Sequence, residues 1–123
     1  MAVASDQLVK LQQQIHRLQR TVRLEIEAEL ATLVGQSFGT LAATQTVVAT
    51  IQELLEAHGL RVQCPECGHP AILRCSARPA VASGAFVLDH TIEGTRTFHG
   101  GYAALPVMRL VAKPPRRSTK KAS

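Results

Sequence analysis

The chain has 123 residues, 46% of them hydrophobic but only 3% aromatic, with no Trp and a formal net charge of +5. That length fits one ordinary domain or two small ones, and a core so poor in rings calls for a metal, a disulfide or a partner. No apolar run approaches the roughly 18–20 residues of a membrane span, and residues 1–6 lack the leader of a secretory signal. The expected setting is therefore cytoplasmic, with thiols reduced or metal-bound.

Residues 5–34 predict a helix, with Ser5 as its N-cap and Asp6 at the positive end of its dipole. Leu8, Leu11, Ile15, Leu18 and Val22 follow the alternating three-four spacing of a coiled-coil seam. The stripe continues as Ile26, Leu30 and Leu33, and the run of steps of four from Leu18 to Leu30 resembles a stutter, which locally unwinds a supercoil. Two partners suit this seam: another chain, either a second copy or a helical partner held through residues 8–33, or the second helix of the same chain. Arg17, Arg20 and Arg23 lie opposite the early seam and form a basic stripe.

Residues 35–39, Gly-Gln-Ser-Phe-Gly, break the pattern. A second helix is expected from Ser37 or Thr40 to His58, with Gly59 as the left-handed residue that ends it. Its stripe is Leu41, Val47, Val48, Ile51, Leu54 and Leu55. Two helices with a short break predict an antiparallel hairpin over residues 1–59, which a second copy would complete as a four-helix bundle.

From Leu60 the hydrophobic period changes to two. Short strands lead into and out of Cys64-Pro65-Glu66-Cys67-Gly68-His69, where two thiolates share one tight turn and Gly68 gives the turn its backbone freedom. Residues 77–84, small side chains with one Pro, read as a loop. Residues 85–91 and 95–99 alternate and are joined at Glu93-Gly94, which predicts a β-hairpin. An edge strand is expected over residues 106–111, with Pro106 tolerated at its start. The β region thus spans residues 60–112.

Structural zinc requires four ligands, and Cys64 with Cys67 supply two. With a two-residue turn at Glu93-Gly94, Ile92 faces Thr95, His90 faces Thr97 and Leu88 faces His99. His90 and His99 then share one sheet face as diagonal neighbours and close a Cys₂His₂ set. Cys75 is the alternative ligand by residue type, but an extended strand carries it roughly 17–20 Å from the knuckle. His69 sits too near the turn to complete a tetrahedron, and His16 and His58 lack partners in sequence.

The Cys-Pro-x-Cys-Gly knuckle followed by a hairpin resembles the zinc-ribbon class over about residues 60–100. The resemblance implies a structural Zn²⁺ and an antiparallel β module. It departs from that class because no second Cys-x-x-Cys follows. The expected fold is therefore α+β: a helical hairpin or coiled coil, a zinc-ribbon-like β module, and an unfolded basic tail over residues 113–123.

That tail holds Lys113, Arg116, Arg117, Lys120 and Lys121, five positive charges, while the remaining residues carry nine basic and nine acidic side chains and sum to zero. A tail of this kind either contacts nucleic acid by counterion release or only solubilises the chain. The function expected is that of a non-enzymatic zinc-binding accessory protein that self-associates and contacts nucleic acid mainly by charge. Lys113, Arg116, Arg117, Lys120, Lys121, Arg17, Arg20 and Arg23 are the candidate contacts. The alternatives are a protein-interaction module on a zinc platform and a metal-dependent phosphodiester hydrolase using Asp89, Glu93, His90 and His99. Against the hydrolase, Asp89 and His90 are neighbours in a strand and point to opposite faces.

Overall fold

The computed structural model describes residues 2–115, and Arg116, Arg117, Lys120 and Lys121 lie outside the described residues. Two helices, α1 (Ala2–Ala31) and α2 (Leu41–Ala57), precede five strands: β1 (Leu60–Gln63), β2 (Pro70–Arg78), β3 (Val81–Ile92), β4 (Thr95–Tyr102) and β5 (Arg109–Ala112). The strands form one antiparallel sheet in the order β4-β3-β2-β1-β5. The α+β architecture matches the periods of the sequence.

Thr40 is the N-cap of α2, accepting a hydrogen bond from the Ala43 N–H at 3.1 Å, and His58 is the C-cap. Gly59 follows at φ 65°, the left-handed conformation that stops a helix most easily at glycine. α2 buries Thr44, Val48, Ile51 and Leu55, and it packs on β1, β2 and β3. Gln52 fixes its height by donating to the Leu73 carbonyl at 2.6 Å. The stripe of α2 thus meets the sheet, and the helices do not bury their stripes against one another as an isolated hairpin would.

α1 starts at Ala2, which puts Ser5 inside the helix rather than at its cap. Only its last turns enter the core, through Ile26 and Leu30 with Leu33 beside them. Leu8, Leu11, Ile15, Leu18 and Val22 remain exposed. The change from exposed to buried falls on the step from Val22 to Ile26, where the stutter rotates the stripe around the helix. α1 meets the sheet at β5, and the Glu27 carboxylate accepts the Leu110 N–H at 2.7 Å. An edge strand carries backbone donors without a strand partner; here one of them is satisfied by a helix side chain.

Residues 77–84 differ from the expected loop. The chain turns at Pro79-Ala80 with Arg78 opposite Val81, and β2 bulges between Ser76 and Arg78. Ala77, Ala80 and Ala82 are exposed, and close packing explains the small residue only at Gly84. A Cβ on Gly84 would lie 2.6 Å from Cys75 Sγ and 2.8 Å from Leu41 Cδ1. β5 likewise starts at Arg109 rather than Pro106. Before it, Leu105 is buried and pairs through its backbone with Gly35 and Gln36, at 2.8 and 3.0 Å. One contiguous apolar core joins the end of α1, α2 and the inner face of the sheet.

Candidate metal centre

The β1–β2 connection builds the first half of the site. Val62 pairs with Ala71 and Gln63 with Pro70, so the next residues must reverse direction. They do so in a knuckle closed by the Gly68 N–H to the Cys64 carbonyl at 2.7 Å and the Cys64 N–H to the His69 carbonyl at 2.9 Å. Gly68 adopts φ 79°, which a side chain would strain. Tyr102 anchors the knuckle from outside by donating its hydroxyl to Glu66 at 3.0 Å.

The β3–β4 hairpin builds the second half. Glu93 and Gly94 both have positive φ, at 50° and 80°, as a two-residue type I′ turn requires. The register is Ile92 opposite Thr95, His90 opposite Thr97 and Leu88 opposite His99, as alternation from that turn dictates. His90 and His99 therefore share the inner face, their ring centroids 5.0 Å apart.

The two halves converge. Cys64 Sγ lies 3.3 Å from His99 Nδ1, and Cys67 Sγ lies 3.1 Å from His90 Nε2. The ligand atoms of Cys64, Cys67, His90 and His99 all lie within 4.8 Å of one another, close enough to hold one metal ion. Ligands at 2.0–2.3 Å from a tetrahedral zinc sit about 3.3–3.8 Å from one another, so the Cys64–His99 separation of 3.3 Å meets the lower bound and the Cys67–His90 separation of 3.1 Å falls just below it. Cys64 and His90 are buried and Cys67 and His99 partly so.

The surroundings favour donation to a cation. His90 Nδ1 lies 2.8 Å from the Thr97 carbonyl, which can only accept, so that nitrogen carries the hydrogen. Nε2 then presents its lone pair toward Cys67. A backbone carbonyl on the second nitrogen is the usual way a metal-ligating imidazole is held in its tautomer. At Cys64, burial pushes the thiol upward, hydrogen bonds with the backbone of Glu66 and Cys67 pull it back, and the nearby Cys67 raises it further. Burial thus disfavours the Cys64 thiolate, and a divalent cation beside it removes that penalty. The donor set of two sulfurs and two imidazole nitrogens is that of closed structural zinc sites.

Cys75 does not join this cluster. Its sulfur packs near Gly84 and Leu41, under the start of α2, and burial raises its thiol. Extended geometry carries it along β2, away from the knuckle. His69 places its ring edge-on to His90 at 6.4 Å but is not one of the four convergent groups. His16 lies on exposed α1. Asp89 turns to the outer face of the sheet, where Arg74 Nε lies at 2.5 Å and Arg96 grips both carboxylate oxygens at 2.8 and 3.1 Å. The Arg96 hydrogen bond, opposed by burial and joined by Arg74, holds Asp89 down to about 2. A carboxylate so acidic and so placed is a poor base for chemistry at the cluster.

Among the charged candidates, Arg17 and Arg20 are exposed and have no carboxylate within ion-pair distance among the described residues. Arg23 pairs with Glu27 at 3.5 Å, and Lys113 pairs with Glu56 at 2.5 Å. No helix is long and apolar enough to cross a membrane among the described residues. Sequence reasoning did not find the Asp89–Arg74–Arg96 network or the Tyr102–Glu66 tie. The first was accessible through alternation, because Ile72, Asp89 and Phe98 occupy opposed positions and Arg74 and Arg96 lie two residues away on the same face. Comparison with protein-family models, with curated proteins and with solved structures finds no match.

Proposed function

We propose that this chain is a non-enzymatic assembly protein, in which a structural Zn²⁺ held by Cys64, Cys67, His90 and His99 locks a zinc-ribbon-like module that presents a self-associating helix. Four protein ligands leave no open coordination position, which favours a structural role over a catalytic one. The observation that carries the assembly reading is the exposed seam of α1: Leu8, Leu11, Ile15, Leu18 and Val22 lie on one side of a helix that enters the core only from Ile26 onward. A helix of 30 residues is about 45 Å long, and the stretch from Ala2 to Val22, about 31 Å, contributes no residue to that core. A contiguous apolar stripe of this length marks an interaction surface. A coiled coil with a second copy covers it, and the stutter after Val22 is where the seam passes from the partner to the chain's own core. Light scattering across a dilution series tests this. A concentration-dependent dimer supports it, and a monomer at every concentration overturns it.

A second reading adds nucleic-acid contact by charge, through Arg17 and Arg20 and the basic residues from 113 onward. It is favoured by the placement of those two arginines on the side of α1 opposite the seam, where they remain exposed in a dimer. Binding of this type falls steeply with salt.

A further inference from the structure

The chain contains four aromatic side chains, Phe38, Phe86, Phe98 and Tyr102. Phe86 is fully buried, Phe38 stacks edge-on against it at 6.2 Å, and Tyr102 packs against the core. Phe98 alone faces solvent, 51% exposed, on the outer face of the sheet. A protein so short of rings gains nothing in stability from leaving one outside, because burial is what makes an aromatic stabilising.

The surroundings of Phe98 are basic. The Arg96 guanidinium lies over the ring at 5.1 Å from its centroid. Arg74 and Arg78 follow on β2, and together with Val87 and Phe98 they line a groove of about 410 Å³. Asp89 is buried beneath Arg74 and Arg96, whose side chains remain 43% and 63% exposed, and Glu93 at the hairpin turn lines the neighbouring groove with them. Three arginines against Asp89 and the Glu93 at its edge leave the face net cationic, the groove beside Phe98 is lined by Arg74 and Arg78 with no carboxylate, and Asp89 fixes the direction of two guanidinium planes.

We infer that this face, built on Phe98, Arg96, Arg74 and Arg78, binds single-stranded nucleic acid, with one unpaired base stacked on Phe98 and neighbouring phosphates held by the arginines. The inference rests on the nucleic-acid reading above but locates the contact on the sheet instead of on the tail or α1. Charge complementarity selects a polyanion. The exposed ring with a guanidinium over it selects a polyanion that also carries flat π faces, since bases stack on both aromatic rings and arginine planes. A duplex keeps its bases stacked on each other and offers only phosphates. An acidic peptide or a sulfated sugar makes no use of the ring.

The test is fluorescence anisotropy of full-length protein with a labelled oligothymidylate single strand, its duplex with oligoadenylate, and heparin as competitor. Wild type is expected to prefer the single strand over the duplex. Phe98→Ala is expected to weaken single-strand binding about tenfold, with heparin affinity unchanged. Phe98→Leu keeps apolar bulk without the π face and is expected to lose the same contact while retaining the wild-type circular dichroism. Phe98→Tyr is expected to restore binding. Arg96→Ala is expected to weaken both single-strand and heparin binding. Equal single-strand affinity for wild type and Phe98→Leu overturns the inference. If in addition Arg116→Gln, Arg117→Gln, Lys120→Gln and Lys121→Gln together abolish binding, contact by the tail stands while the sheet platform falls. No binding of wild type to any strand overturns both.

Discussion

Replacing Leu18 by Glu separates assembly from folding. Leu18 is 59% exposed, and its seam neighbours Leu8, Leu11, Ile15 and Val22 are 65%, 50%, 42% and 38% exposed. Together they leave the equivalent of about two and a half apolar side chains per copy in water. Burying each is worth about 1.5–3 kcal/mol, so a pair of copies gains roughly 8–15 kcal/mol before the cost of association. That cost is about 4–15 kcal/mol, so the net runs from nothing to about 11 kcal/mol, and a cost near its lower end gives a micromolar dimer. Leu18→Glu removes about 1–2 kcal/mol of burial from each copy and sets two carboxylates at the seam, which weakens the dimer at least about a hundredfold. The assay is sedimentation velocity from about 1 to about 200 µM, a range that spans the expected constant. Wild type is expected to move from monomer to dimer, and Leu18→Glu to remain monomeric with an unchanged melting temperature in its monomeric state. Leu30→Glu, at a buried position of the same helix, is expected to unfold the domain. An unaltered dimer in Leu18→Glu refutes the argument.

Two further predictions concern the sheet. Gly84→Ala forces a Cβ between Cys75 Sγ and Leu41 Cδ1 at φ 87°, so it is expected to cost about 2–4 kcal/mol and to lower the melting temperature by roughly 10 °C or more in thermal unfolding. Asp89→Asn removes a charge whose carboxyl is held from 3.8 down to about 2 in the fold. Its stabilisation is fully present above about pH 4, where the unfolded group is already ionised, and fades as pH falls toward 2. Its partners are partly exposed, so about 1–2 kcal/mol is expected. Urea unfolding of both proteins should show the gap near neutral pH and show it closing in acid, whereas a constant gap excludes the ion network as its source.

The site was legible because its logic is local. Cys64, Cys67 and Gly68 announce a knuckle by spacing, and the Glu93-Gly94 turn fixes a register from which His90 and His99 follow by alternation. The boundary of α2 was legible for the same reason, with Thr40 and Gly59 carrying the caps. Long-range packing was not. Residues 77–84 look like a loop in sequence, but they continue β2 and open β3, and Gly84 has no side chain where β3 passes close beneath α2. The destination of the α2 stripe was equally hidden, since a 3.6-residue period marks a buried face without naming what buries it. The placement of α1 depends on a side chain 83 positions from its partner, Glu27 on the Leu110 N–H, which no local pattern encodes.

The shared core also changes what metal loss should do. Residues of α2 and the end of α1 pack on the strands that carry the ligands, so a chelator is expected to loosen helix and sheet together, sparing only the projecting part of α1. The most direct measurement is elemental analysis of metal per chain in purified protein. The account predicts about one zinc per chain in wild type and in Cys75→Ala, and none retained through dialysis in Cys64→Ser, Cys67→Ser, His90→Ala or His99→Ala. Wild-type protein free of metal and equally stable with and without chelator would contradict it, as would loss of metal on replacing Cys75.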